Sequence, residues 1–365
     1  MTVSAIVLAA GEGSRMRSNR PKPLHLICGR PMVMHVIHAL EDAAPERTVV
    51  VVGHGAERVT KKVQEQAPLW ANVTFVEQTV QRGTGDAAMV GLDGLPGDDI
   101  DDTSTILVLP GDTPLLQPDS IAQLVATHIA NGYAATLITT VLDDPTGYGR
   151  VVRSPAKHGE GRVMRIVEER DASTDERAIR EVNTSMYAFR RDLLGPALRR
   201  LSPDNAQGEY YLTDVIGSLA AMGHLIGCVQ VPESETRGVN DRWQLAMAER
   251  ELRARTNRRH LLNGVTMLDP RQTFIDVTVR LGRDVTLFPG TILQGDTVVG
   301  DGCEIGPDTR LVDCTVGDGA VVEHTVGRES HVGEHSHVGP FAHLPSGSTV
   351  ASEAVTGAFY TAPVE

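Results

Sequence analysis

Short apolar runs alternate with longer stretches of helical spacing through the first part of the chain, and the alternation stops near residue 231. Residues 5–10, 49–52 and 106–109 are apolar throughout, and 73–76 and 135–138 are β-rich runs with a single Thr, so all five read as buried strands. Between them, 32–43 and 120–131 space their apolar residues as one side of a helix does. This alternation predicts a largely parallel sheet with helices on both faces. Ligands bind such sheets beyond the carboxyl ends of the strands, which directs attention to Gly11, Gly53, Asp112 and their neighbours.

Residues 241–262, rich in Arg, Glu, Ala and Leu, predict a long helix, with Asn240 at its capping position. Past Val265 the period changes to six: Leu281, Leu287, Leu293, Val299, Ile305 and Leu311, then Val316 and Val322 after a one-residue slip. A second slip leads to Val326, Val332, Val338, Leu344 and Val350. Apolar residues recurring every sixth position, many followed by Gly, are the signature of a left-handed parallel β-helix, one apolar residue per face of a triangular prism. The expected fold is therefore α/β, a Rossmann-like domain with a mostly parallel sheet over 1–231, a helical linker over 232–264, and a short hexapeptide prism over 265–365. His331, His337 and His343 stand six apart, so they fall on three different faces and cannot converge; with His324 and His335 they read as solvated rather than as a metal site.

The bulk composition narrows the partners. A formal charge of −13 argues against nucleic acid or an anionic membrane surface. Cys28, Cys228, Cys303 and Cys314 lie far apart with no Cys-x-x-Cys, which suggests neither a zinc site nor a disulfide framework and fits a reducing, cytoplasmic setting. The N-terminus has neither the basic region of a signal peptide nor an apolar run long enough to span a bilayer.

Against that acidic balance, the stretch after the first apolar run is cationic. Leu8-Ala-Ala-Gly-Glu-Gly-Ser-Arg-Met leads through Arg15, Arg17 and Arg20 to Pro-Lys22-Pro, and no Asp or Glu occurs from Gly13 to Leu40. Gly11 and Gly13 let the backbone turn closely enough to offer its N–H groups to an anion, and Ser14 is placed to cap a following helix. A dinucleotide fingerprint needs a small residue where Met16 stands, and a P-loop needs a Gly-Lys-Ser/Thr that is absent. The stretch is suited to phosphates.

At these residues the chain resembles the sugar-1-phosphate nucleotidyltransferases, and more closely the bacterial N-acetylglucosamine-1-phosphate uridylyltransferases. The resemblance implies transfer of UMP from UTP to N-acetylglucosamine 1-phosphate, with Mg²⁺ as cofactor. It implies that Leu8, Ala9, Ala10, Gly11 and Gly13 cradle the nucleotide, and that Arg15 and Lys22 are catalytic cations. Gly111-Asp112-Thr-Pro-Leu matches the family's metal-binding Gly-Asp-x-Pro-Leu, and Gly238-Val-Asn240-Asp its Gly-Val-Asn-Asn, so Asp112 and Asn240 would hold the metal. Gln78, with Gly83 and Thr84, resembles the uracil-reading elements, while Gly149, Glu168 and Asn183 fall in segments that match sugar-binding ones. One departure is Ser185, where the family usually has Gly. Prisms of this kind commonly trimerise, so a homotrimer is implied.

The resembling enzymes are usually bifunctional, with a longer prism carrying an acetyltransferase site. This sequence ends at Glu365, and Pro345 stands where the family has a sugar-phosphate-binding Arg, so acetyl transfer is expected to be absent. Other expectations are a related enzyme using dTTP or another sugar 1-phosphate, and a non-catalytic trimeric binder. Retention of Arg15, Lys22, Asp112 and Asn240 weighs against the binder.

Overall fold

The computed structural model describes residues 2–95, 104–155 and 161–364, and these divide into two compact units. The first runs to His25 and resumes from Pro31 to Leu245; the second takes Leu26–Arg30 and the described residues from Ala246 onward. The helix Arg242–Leu262 thus starts in one unit and continues in the other.

The first unit is built on a nine-stranded sheet. Its strands are β1 (Val3–Leu8), β2 (Arg47–Val52), β3 (Val73–Glu77), β4 (Thr105–Pro110), β5 (Ala135–Val141), β6 (Arg150–Arg153), β7 (Val163–Val167), β8 (Glu181–Arg190) and β9 (Ile226–Gln230). The order is β9-β5-β8-β4-β1-β2-β3, with β6 joined to β8 and to β7. β1, β2, β3 and β4 run parallel, as do β5 and β9, whereas β8 lies antiparallel between β4 and β5. The runs of β1, β2, β4 and β5 are buried because both faces are covered, whereas 73–76 is corrected: β3 is the edge strand and is only half-buried. Ala5 and Val7 enter one core with Val50 and Leu107, while Ile6 enters the other with Val49, Val51 and Ile106.

The helices expected over 32–43 and 120–131 are Met32–His38, followed by a 3-10 turn at Glu41–Ala43, and Pro118–Asn131. Pro118 opens the second at a position where its missing N–H costs nothing, and Gly132 ends it at φ 59°. Two local expectations are corrected. Ser14 caps no α-helix: it starts a three-residue 3-10 turn, Ser14–Met16, between Gly13 at φ 66° and Arg17 at φ 47°. A right-handed helix cannot run through a left-handed residue, so the chain turns away there. The long helix is capped by Asp241 rather than Asn240, because Asp241 Oδ1 accepts the Gln244 N–H at 2.8 Å.

The second unit is the expected left-handed β-helix. Two- and three-residue strands stack into three five-stranded parallel sheets, each strand pairing with the third strand along the chain. Leu287, Leu293, Ile305 and Leu311 are wholly buried inside it, with Cys303 and Cys314. The four cysteines are free thiols. His331, His337 and His343 do lie on three different sheets, all exposed. Among the described residues no group of three or more His, Cys, Asp or Glu is placed to hold a metal. One inward position was misread: Val326 is 54% exposed, and Gly327 faces the core opposite Leu311. The Leu311 and Cys314 side chains fill the space a larger residue would need, lying 2.9 and 3.4 Å from where a Cβ on Gly327 would stand.

Candidate active site

β1 and β4 end side by side, with Leu8 paired to Pro110 and the Gly111 N–H donating to Leu8 O at 2.8 Å. Beyond those ends lies a cleft of about 580 Å³, walled by Leu8, Ala9, Ala10, Gly11, Gly111 and Asp112 among others. A Cβ on Gly53 would stand 2.6 Å from Ala10 O, so the close approach of β2's end to the turn requires glycine.

Four side chains from three separated segments meet at the mouth of this turn. The Val239 N–H donates to Asp112 O at 2.9 Å, which brings Asn240 beside Asp112. The Lys22 ammonium donates to Asp112 Oδ2 and, at 2.8 Å, to Asn240 Oδ1. Arg15 Nη2 donates to the same Asn240 oxygen at 3.0 Å. Gly13 stands behind: a Cβ there would lie 2.6 Å from Lys22 Cβ, so the glycine supplies both the left-handed turn and the room for the lysine stem. With Asp241 serving as the helix cap, the Asn240 side chain is left to this cluster.

The Asp112 and Asn240 oxygens already converge on one cation, the Lys22 ammonium. An oxygen-only pair opening onto a cleft suits Mg²⁺, which holds one or two carboxylate-type ligands and fills its other positions with water and phosphate oxygens. The donor set fits that ion.

A second group sits near the ends of β2 and β3. Gln78 is 4% exposed, and its Nε2 donates to Asp86 Oδ2 at 2.7 Å and to Gly83 O at 3.3 Å. With both amide protons engaged, Oε1 is the end of the side chain left to accept. Gly83, at φ 111°, is pressed against Tyr210, whose carbonyl would lie 2.6 Å from an added Cβ. Thr84 Oγ1 accepts the Leu212 N–H at 3.1 Å. Asp86 was not anticipated; its only sequence signal is an acid in the first turn of the helix Thr84–Asp93.

The third group lines the wall formed by β8 and the segment after β7. Glu168 Oε1 accepts from the Thr213 hydroxyl at 3.0 Å. Burial pushes the Glu168 carboxyl above the ordinary glutamate range, with Asp214 and Asp171 adding to it and the Thr213 hydrogen bond opposing. Gly149 is behind this wall, its missing side chain leaving space 3.3 Å from Glu168 Oε2. Asn183 is 4% exposed, with Nδ2 donating to the Tyr187 hydroxyl at 2.7 Å. Of the candidate site residues, Gly13 and Gly149 adjoin the lining residues Lys22 and Glu168, Arg15 reaches the cleft through Asn240, and the others line it, whereas Gly53, Arg17 and Arg20 do not. Thr213 and Tyr187 were given no role from the sequence: Thr213 falls in residues 205–214, a further stretch that resembles the family, whereas Tyr187 stands in the apolar run 186–189 with no distinguishing pattern.

Comparison with known proteins places the chain in a family. Residues 5–210 match the MobA-like NTP transferase domain. The chain is 47% identical over 328 residues to the "Bifunctional protein GlmU" of Thermobifida fusca, covering 90% of this chain and 66% of that protein. It is 47% identical to the protein of the same name from Streptomyces avermitilis, over 98% of this chain and 72% of that one. The Mycobacterium marinum protein, also of that name, is 46% identical over 98% of this chain and 71% of its own length. The chain thus spans about two thirds of the length of the curated relatives it matches. A crystal structure of UDP-glucose pyrophosphorylase complexed with UDP-glucose shares the fold, with a TM-score of 0.56 and 16% identity, covering 70% of this chain and 100% of that one. No described helix is long and apolar enough to cross a membrane. On the matched domain and these relatives, the chain belongs to the GlmU family and is a nucleotidyltransferase.

Proposed function

We propose that this chain transfers UMP from UTP to N-acetylglucosamine 1-phosphate, forming UDP-N-acetylglucosamine and releasing pyrophosphate. The observation that carries the reading is the convergence of Arg15, Lys22, Asp112 and Asn240 beside a glycine turn at the carboxyl ends of β1 and β4. A phosphate-monoester oxygen of the sugar 1-phosphate attacks the α-phosphorus of UTP, and the bond from that phosphorus to the pyrophosphate oxygen breaks. The nucleophile is already an anion, so the reaction needs no general base; positioning and charge neutralisation supply the catalysis. The N–H groups of the turn around Gly11 and Gly13 bind the triphosphate, and Arg15 and Lys22 neutralise the charge that gathers on the departing pyrophosphate. Asp112 and Asn240 would hold Mg²⁺, which supplies Lewis-acid neutralisation of phosphate oxygens when bound.

Gln78, held by Asp86, presents an acceptor to the uracil N3–H, and Gly83 and Thr84 close that end of the cleft. Glu168 and Asn183 receive the sugar, with Gly149 making room for Glu168. Pro345 stands where the resemblance calls for an arginine, so we propose no acetyl transfer by these residues. The second unit is proposed to assemble the chain as a homotrimer; its exposed Phe341 and Phe359 rings stack at 5.3 Å.

The test is pyrophosphate release from purified protein with Mg²⁺, UTP and N-acetylglucosamine 1-phosphate, beside glucose 1-phosphate and dTTP. Release with the first pair above the others supports the reading. Release only with another pair moves the substrate, and no release with any pair removes the reading. Acetyl-CoA-dependent thiol release would overturn the acetyltransferase statement, and sedimentation at the monomer mass the trimer.

A further inference from the structure

Strand β8 is interrupted where it borders the cleft. Its pairing with β5 shifts register between Asn183 and Tyr187, and within the interruption Ser185 sits at φ 61°. Glycine adopts that left-handed conformation freely and serine does not. Bulges beside binding sites commonly re-aim one side chain.

The interruption is clasped from within. Asn183 Nδ2 donates to the Tyr187 hydroxyl at 2.7 Å, and the Ser185 N–H donates to Asn183 Oδ1 at 3.3 Å. Tyr187 is 1% exposed and stacks on Phe189 at 5.3 Å between ring centroids, so the clasp is anchored in the core. Ser185, by contrast, is exposed and lies on the cleft wall with Asn183 and Glu168. Costly backbone conformations persist where the surroundings over-determine them, and they cluster at functional sites.

We propose that Ser185 contacts the sugar of the substrate: the interruption of β8, held by Asn183 and Tyr187, sets its hydroxyl at the cleft wall, where it can hydrogen-bond a sugar hydroxyl or amide. The inference rests on the sugar-1-phosphate reading above and adds a contact to it. A hydroxyl both donates and accepts, which suits a neutral polyol. Tyr187 is a positioning residue: its hydroxyl accepts from Asn183 Nδ2 and also meets the Ser185 side chain.

Two variants separate the hydroxyl from the backbone. Ser185→Gly keeps the left-handed conformation without strain and loses the hydroxyl; Ser185→Ala loses the hydroxyl and keeps the strain. Both should raise the KM for the sugar 1-phosphate about five-fold, the worth of one neutral hydrogen bond, and leave the KM for UTP where it was. Tyr187→Phe should move the same KM in the same direction. An unchanged sugar KM in Ser185→Gly overturns the proposal, and so does an equal rise in both KM values. If the wild type neither releases pyrophosphate with any sugar 1-phosphate nor binds UDP-N-acetylglucosamine in calorimetry, this inference and the proposed function fall together. Wild-type turnover with unaltered Ser185 variants removes this inference alone.

Discussion

Lys22 donates its ammonium protons to Asp112, while Asn240, from a segment more than a hundred residues further on, accepts from the same nitrogen at 2.8 Å. A side-chain cation thus stands where two oxygen donors converge. Lys22 and a divalent ion compete for that point. Lys22→Ala should bind Mn²⁺ several-fold more tightly than the wild type without nucleotide, read by electron paramagnetic resonance, while losing pyrophosphate release. Equal or weaker Mn²⁺ binding would count against the assignment of Asp112 and Asn240 as metal ligands.

Asp112→Ala removes the carboxylate and leaves Lys22 its contact with Asn240. Its side chain is 28% exposed, so the fold should survive with little change in melting temperature. Pyrophosphate release should fall on the order of 100-fold or more. A folded, nearly active variant would sink the role.

Asp86 touches nothing in the turn yet fixes the Gln78 amide. Asp86→Ala should free that amide to rotate, raising the KM for UTP and narrowing the preference for UTP over CTP, with the sugar KM unmoved. Steady-state kinetics with both nucleotides decides it.

Two buried histidines set an acid limit to stability. Burial lowers the imidazoles of His128 and His260 from 6.5 to about 4, with a neighbouring arginine adding to each shift. Above 6.5 both rings are neutral folded or unfolded, so the shifts have no effect there. As pH falls below 6.5 the unfolded chain takes up protons that the folded one refuses, and stability drops until about pH 4, on the order of 3 kcal/mol per ring. His128→Gln should flatten part of that slope in melts recorded from neutral to acid pH; an unchanged slope would refute the attribution.

Gly327 and Val326 give opposite expectations from sequence period and from structure. Gly327→Val overfills the space taken by Leu311 and should cost about 2 kcal/mol, whereas Val326→Thr on the exposed face should change stability by less than about 0.5 kcal/mol. Chemical denaturation of the two variants distinguishes them, and the reverse ranking would restore Val326 to the core.

The sequence by itself determined the two architectures and the phosphate-suited turn, because those depend on local periodicity and backbone permission. Runs such as 49–52 have to be buried on both faces, a six-residue apolar period closes only as a prism, and Gly13 admits a left-handed turn whatever surrounds it. The resemblance of short motifs then singled out Lys22, Asp112 and Asn240. Tertiary structure alone decided how those residues meet. Asn240 looked like a helix cap until Asp241 proved to hold that place, leaving the Asn240 oxygen to Lys22 and Arg15. Ser14 looked like a cap until Arg17's left-handed φ ended the turn. Val326 fitted the six-residue period, but the slip in the repeat turned Gly327 inward, since a one-residue shift exchanges the faces of a strand. Asp86 and Tyr187 carry no pattern along the chain, and Thr213 only lies in a stretch that resembles the family; they matter because folding sets them against Gln78, Asn183 and Glu168 at hydrogen-bonding distance. Local propensity is written in neighbouring residues, whereas a site is made of contacts between segments that only packing brings together.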